Sequence, residues 1–359
     1  MANIDDIAKE AGVSKSTVSK VINDYEGINE ETRELVFDVM RKNNYWPNAT
    51  ARGLSTSKSF TIGLFNGTSL NDLFFREVME GVEDILGQKG YDLLYYVRAV
   101  NTDNASSVKL DSGRPEHGKQ DLTNKKEEIM KWGFVEKSTD RNIDGVILLG
   151  FLEEKLNRFT DLLESEIPTV FVDLDLEGNK TSFVMSDNKQ GIKKAVDYLC
   201  ELGHKKISLI DGKQISKPAA IRNNVFKKYL RQQRLPVRKE WIFQKEYEEE
   251  EGRTAARTIL DMDEKPTAII AQDRMAIGAF NEFKDKGLSV PEDFSLIAYD
   301  DQEISRHYGL TAIRQDKFAM GKAAAELLLD MISHKKVKPV YMETQLIVRD
   351  SCTAVNTGR

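Results

Sequence analysis

From Phe60 onward, short apolar runs alternate with stretches whose apolar residues recur at helical spacing. Few architectures other than parallel α/β sheets accept that alternation, because strands apolar on both faces must be covered on both by helices. The runs are Thr61–Phe65, Tyr91–Val97, Ile143–Leu149, Pro168–Asp173, Lys206–Asp211, Thr267–Ala271, Phe294–Tyr299 and Leu346–Arg349. Helical windows fall around 72–88, 153–164, 188–202, 218–232, 252–262, 273–286 and 316–334. Ligands of such sheets bind beyond the carboxyl ends of the strands. A chain of 359 residues exceeds one ordinary core, so two or three folding units are expected.

The first sixty residues follow a different rule and read as three short helices. Asn3 is placed to cap the first, with Ile4, Ile7, Ala8 and Ala11 on one face. Gly12 supplies a turn and Ser14 caps the second helix, where Val18, Val21 and Ile22 point one way. Lys15, Ser16, Ser19, Lys20 and Asn23 point the other way. Asn29 caps the third, with Glu30 and Glu31 in its first turn, Arg41 and Lys42 in its last, and a stripe of Leu35, Val36, Val39 and Met40. Periodicity alone fits a plain three-helix bundle equally well. The second helix favours the helix-turn-helix reading, since short polar side chains between lysines permit close approach to base edges and phosphate. A net charge of −6 does not oppose this, because residues 39–60 carry Arg41, Lys42, Arg52 and Lys58 without an acid.

The run IDDIAKEAGVSKSTVSKVIN, continued by INEETRELVFDVMRKNNYWPNATARGL, resembles the signature of the LacI/GalR family of bacterial transcription regulators. The stretches TIGLF, IDGVILLG, PTVFVD, PTAIIAQDRMAIGAF, GLSVPEDFSLIAYDD and LIVRDS resemble that family's sensor core. The fold this implies is a small all-α helix-turn-helix head on an α/β sensor of two similar parallel-sheet subdomains, like a periplasmic binding protein. The expected division is a head over 1–46 and a hinge helix with linker over 47–59. A first subdomain then takes 60–173 with about 316–338, and a second takes 174–315 with about 339–359. The resemblance further implies that Lys15, Ser16 and Lys20 discriminate bases, that Thr17 and Ser19 hold phosphate, and that Asn23 lies on the same face. Asn48 and Ala51 fall in the hinge helix, which is too short to stand alone, and Leu54 takes the place of a leucine that wedges into the minor groove. The alternative for this segment is a flexible linker, for which residues 55–59 are better suited.

In the sensor, the resemblance places an effector in a cleft between subdomains, with Arg222 as a gripping fork. Asp300 and Gln272 serve as strand-end polar partners, Phe74 and Phe75 as aromatic contacts, and Asn66 as a further contact. Arg222 paired with an acid and Phe75 in plain core are the competing readings; Asp273 and Asp301 read equally well as caps. The expected partners are pseudo-palindromic double-stranded operator DNA, a small-molecule effector of the sugar class, with purines and sugar phosphates still open, and a second copy of the chain. A dimer is expected because the end of the chain lacks leucine heptads. The polar segment 98–124 is read as a surface loop.

Other functions find little footing. GxGxxG, GxxxxGK[ST] and GxSxG are absent, which disfavours nucleotide enzymes and α/β-hydrolases. The acids Asp173, Asp175 and Glu177 sit at a strand end, where acids usually turn or cap the chain. Cys200 and Cys352 have no CxxC partner, and His117, His204, His307 and His334 are scattered, so neither cofactor nor metal is expected. No apolar run approaches the roughly 20 residues of a membrane span, and the acidic N-terminus is unlike a signal peptide. A cytoplasmic protein is expected. A solute-binding protein would explain residues 60–359 but leave the head idle, and an enzyme would need a catalytic pair that the sequence does not offer.

Overall fold

The computed structural model describes residues 2–22, 25, 27–45, 58–68, 72–97, 133–152 and 159–355. They fall into two compact units, Met1–Phe60 and Thr61–Arg359. Asn23, the hinge positions Asn48, Ala51 and Leu54, and the polar segment 98–124 lie outside the described residues.

The first unit is built from α1 (Ile4–Glu10), α2 (Lys15–Ile22) and α3 (Glu30–Lys42). Each start is satisfied as its residues demand. The Asn3 carboxamide oxygen accepts the Asp5 and Asp6 amides while the Asp6 carboxylate accepts Asn3 N–H, a capping box. Ser14 Oγ accepts Thr17 N–H at 3.1 Å and Asn29 accepts Thr32 N–H at 2.8 Å. Gly12 turns between α1 and α2 at φ +66°, where a side chain would be strained. Ile7, Val18, Val21 and Val36 close the core, each essentially inaccessible to solvent. Leu35 departs from the expected stripe and is 46% exposed. Glu10 clamps the end of α3 to α1 by accepting from Lys42 and Asn43.

The second unit holds two six-stranded sheets. The first takes β1 (Thr61–Asn66), β2 (Asp92–Val97), β3 (Gly145–Leu149), β4 (Thr169–Val172), β5 (Thr181–Ser186) and β11 (Val340–Met342), in the order β11-β5-β4-β3-β1-β2. The second takes β6 (Ile207–Gly212), β7 (Ile242–Lys245), β8 (Ala268–Gln272), β9 (Ser295–Asp300), β10 (Thr311–Gln315) and β12 (Thr344–Ile347), in the order β12-β10-β9-β8-β6-β7. The two orders correspond strand for strand. Every pairing is parallel except β10 with β12. In both sheets the connection reverses beside the first strand, at β1/β3 and at β6/β8, and that switch point is where the carboxyl ends open a crevice.

The chain passes between sheets three times: after β5, after β10, and between β11 and β12. The first and third passages are laced together, Asp187 N–H donating to Met342 C=O at 2.7 Å. This differs from the expected division at two places. Phe171 on β4 pairs with Phe183 on β5, so the first sheet runs past residue 173, and β11 brings it a strand from the stretch assigned to the second. The sequence signal failed because β5 (TSFVMS) and β10 (TAIRQ) interleave polar residues, β7 is only half-buried, and β11 has three residues.

Helices cover both faces. Among them, α4 (Leu73–Gln88) crosses α12 (Lys317–Ile332), and α9 (Glu249–Leu260) crosses α10 (Asp273–Asp285). Each crossing is made by a glycine on either helix. A Cβ on Gly321 would fall 1.9 Å from the Val78 carbonyl oxygen, and one on Gly81 2.1 Å from that of Phe318. On the other side Gly278 would meet Glu249 O at 1.9 Å and Gly252 would meet Met275 O at 2.1 Å. The two halves thus repeat this backbone-on-backbone packing as well as their strand order.

Candidate functional site

In the first unit, Ser16 and Lys20 stand exposed on one face of α2, while Val18 and Val21 anchor the other. Lys15 is also exposed and reaches Asp5 at 2.9 Å, a solvent-screened pair of small energetic weight. Thr17 and Ser19 are half-buried, and Thr17 Oγ1 lies 2.8 Å from Ser14 Oγ. This is a short, capped, positively charged face with no acid on α2.

In the second unit, the carboxyl ends of both sheets line a cleft of about 960 Å³. One wall is aromatic. Asp72 caps α4, accepting the Phe74 N–H at 3.0 Å, and this fixes Phe74 and Phe75 edge-to-face at 5.0 Å in the first turn. Phe151 and Phe159 continue the wall, also edge-to-face at 5.5 Å. Gly150, at φ +67°, lets Phe75 approach the loop after β3.

The floor is acidic. Asp173 ends β4 in the left-handed region at φ 61° and is 9% exposed. Its Oδ1 has no hydrogen-bond partner. Burial pushes its carboxyl up to about 7; the Arg222 charge draws it back down, while Asp300 and the Ser186 N–H act in opposite senses. Asp300, at φ 113° on the end of β9, is held at both oxygens: Oδ2 accepts Gln272 Nε2 at 3.0 Å and Oδ1 accepts the Gln315 amide. Burial raises its carboxyl too, against the pull of Arg222 and Lys317. The buried Lys317 donates to the Asp300 carbonyl at 2.9 Å and lies 3.7 Å from Glu77 on α4, so it touches both halves of the second unit.

The structure brings Phe74, Phe75, Arg222, Gln272 and Asp300 to the cleft. Asn66 lies under it, 1% exposed, its oxygen accepting Thr68 N–H and Oγ1. Asn66 Nδ2 has no partner among the described residues, whereas Gln272 is spent, capping α10 through Arg274 N–H while donating to Asp300. Arg222 is paired with an acid, and that acid, Asp211, is as buried as the arginine. Asp301 is structural: burial pushes it up, but hydrogen bonds from Arg349 and Arg314 outweigh this and hold it below the ordinary carboxylate range. Asp273 accepts Gln302 N–H and belongs to the same framework.

Sequence reasoning set Asp173 aside as a turn or cap acid and left out Tyr247, Gln315, Phe151 and Phe159; all five line the cleft. Asp173 and Gln315 are strand-end polar residues, as are Asp300 and Gln272. Cys200 and Cys352 are free thiols. Among the described residues no cluster of His, Cys, Asp and Glu is arranged for a metal, and no helix is long and apolar enough to cross a membrane.

Residues 3–48 match the model for bacterial regulatory proteins of the lacI family, and residues 196–352 that for a periplasmic binding protein-like domain. The HTH-type transcriptional repressor PurR of Haemophilus influenzae (strain PittEE) is 32% identical over 364 residues, covering 99% of this chain and 100% of its own. Its namesake in Vibrio cholerae serotype O1 (strain M66-2) is 30% identical over 358 residues, 98% of each chain. A lac repressor dimer bound to operator and the anti-inducer ONPF has the same fold, with a TM-score of 0.71 at 22% identity over 98% of this chain and 99% of that one. A complex of the transcriptional regulator CelR with cellobiose gives a TM-score of 0.65 at 24% identity, covering 98% of this chain and all of that one.

Proposed function

The chain belongs to the lacI family of bacterial regulatory proteins, and from that membership we propose that it is a repressor whose hold on a pseudo-palindromic operator is set by a small molecule in the cleft between the two sheets. It is a DNA-binding transcriptional regulator, and its relatives are repressors, not enzymes. The observation that carries the effector reading is the cleft floor. Asp173 Oδ1 and Gln315 Oε1 are buried acceptors without partners, in the cleft that Phe74 and Phe75 also line. Unpaired buried acceptors are costly until a ligand donates to them. A sugar or sugar derivative suits this arrangement, its hydroxyls donating to the floor and its C–H face packing on Phe74 and Phe75.

On DNA, a homodimer would set two α2 helices in successive major grooves. Ser16 and Lys20 would read base edges, while Lys15, whose side chain reaches back to Asp5 on α1, would hold phosphate and register with Thr17 and Ser19. The effector shifts operator affinity only by binding one arrangement of the two halves better than the other.

The test is fluorescence anisotropy on fragments upstream of the gene and its neighbours. Lys20→Ala should weaken the specific site about 10- to 100-fold, a loss of roughly 1–3 kcal/mol, and shift random DNA far less. Lys15→Ala should lower the salt slope by about one with little change in preference. Equal losses of Lys20→Ala on specific and random DNA would remove it from base reading. No salt-sensitive preference for any palindrome would end the operator reading.

A further inference from the structure

The effector reading leaves one feature unexplained: the cleft contains cations, yet each is already engaged. Arg222 gives Nε to Asp211 Oδ2 at 2.7 Å and Nη2 to Asp211 Oδ1 at 2.6 Å, a two-pronged grip. Nη2 also reaches Tyr247 Oη at 3.2 Å, Nη1 reaches Asn188 Oδ1 at 3.2 Å, and the guanidinium lies over the Tyr299 ring at 4.7 Å. Only one of its five N–H groups is left over. Around the rim Lys213 pairs with Glu246, Lys245 with Glu251 at 3.1 Å, and Arg274 with Glu248 at 2.6 Å. The floor acids are in the opposite situation. Neither Asp173 nor Asp300 has a cation within ion-pair distance among the described residues, and Asp173 keeps a bare Oδ1.

We propose that Asp211 is a specificity-determining residue that sets the sign of charge the cleft accepts: by holding Arg222 it makes the site reject acidic effectors, such as phosphorylated sugars and sugar acids, and admit hydroxyl- or amino-bearing ones. The inference rests on the effector reading above. Asp211 ends β6 and Arg222 lies one turn into α8 (Lys217–Gln232), so strand end and helix hold the pair in one rigid β–α unit. With its charge cancelled inside its own half, Arg222 offers an anion no net attraction, and the cleft floor presents the carboxyl groups of Asp173 and Asp300. Binding an acid there would require desolvating it beside Asp173 and Asp300 without compensation. A hydroxyl or ammonium group meets acceptors instead, and an ammonium gains further from the aromatic wall.

The experiment uses the full-length protein and its Asp211→Asn variant, titrated calorimetrically at constant ionic strength with D-glucose 6-phosphate, D-gluconate, D-glucosamine and D-glucose. Asparagine keeps the size of the side chain and an oxygen for Arg222 but removes the charge that cancels it. The variant should bind the two acids at least tenfold more tightly than the wild type, about 1.4 kcal/mol, with no gain for glucosamine or glucose. A merely structural Asp211 would weaken all four alike or change none, and either result overturns the proposal. If the variant does not fold, the wild type still decides. Glucose or glucosamine bound above the acids supports the proposal, and the reverse order defeats it. Operator affinity measured on the same samples separates this inference from the reading beneath it. An acid that binds the variant but leaves operator affinity unchanged counts against the effector role of the cleft, whereas an acid that does not bind counts against Asp211 alone.

Discussion

Gly321→Ala should destabilise the sensor by about 3 kcal/mol, at the upper end of what overpacking a core costs. Helix propensity alone predicts the opposite, since alanine is favoured over glycine inside a helix by about 1 kcal/mol. The geometry decides which effect wins. The new methyl would sit 1.9 Å from the Val78 carbonyl oxygen and 3.0 Å from the Val82 nitrogen, and backbone cannot swing aside as a side chain can. Helices α4 and α12 would have to part, loosening the contact of Val78 and Val82 with Ala324 and Ala325, all fully buried. Gly278→Ala should cost a similar amount through α9 and α10, where the overlap is with Glu249 O at the same distance. Urea denaturation measures both. A variant as stable as the wild type would mean the helices are not held this close.

Asp173→Asn should stabilise the protein increasingly as pH rises from 4 to above 7. In the unfolded chain this carboxyl titrates near 3.8, and in the folded protein burial lifts it to about 7. Between those values the folded state keeps a proton that the unfolded state has released. The stability tied to the protonated carboxyl is therefore complete below the unfolded value and is lost as pH climbs through the folded one. Each pH unit in that window costs at most about 1.4 kcal/mol, roughly 4 kcal/mol in all. Asparagine never ionises, so the variant escapes the loss. Melting temperatures at pH 4.5 and pH 8 provide the check: near-equality at the lower pH and a clear gain at the higher are expected. The same gain at both would mean that Asp173 ionises as an ordinary surface acid and that the floor is less enclosed than its 9% exposure implies.

Much of this molecule was legible in the residues. Caps at Asn3, Ser14 and Asn29 and the apolar faces of α1 and α2 are local signals, each written within four positions, and they located the head. Continuous apolar runs located the inner strands for the same reason. The family resemblance pointed to Asp300 and Gln272 as strand-end polar partners, but not to how they are used, because their mutual hydrogen bond joins residues 28 apart. The Asp211–Arg222 grip is of this kind too: eleven positions separate the partners, across a change from strand to helix, and no periodicity records it. The glycines at 81, 252, 278 and 321 each stand inside a helical window as small unfavourable residues. Only the partner helix reveals that space, not chain flexibility, is what they supply.

The three passages between sheets bear on how the chain is made as well as on how it works. The first sheet begins at Thr61 but is finished only by Val340–Met342, and its covering helix α12 begins at Lys317. The second sheet closes a few residues later, at Thr344–Ile347. A ribosome working from the N-terminus therefore releases Ile62, Leu64, Ile147 and Val170 long before the helix that buries them exists. The three-helix head can fold early from its own local contacts, whereas both halves of the sensor mature together as synthesis ends. A nascent chain halted before residue 317 would carry a reader without a sensor and a large apolar surface whose covering helix is not yet made.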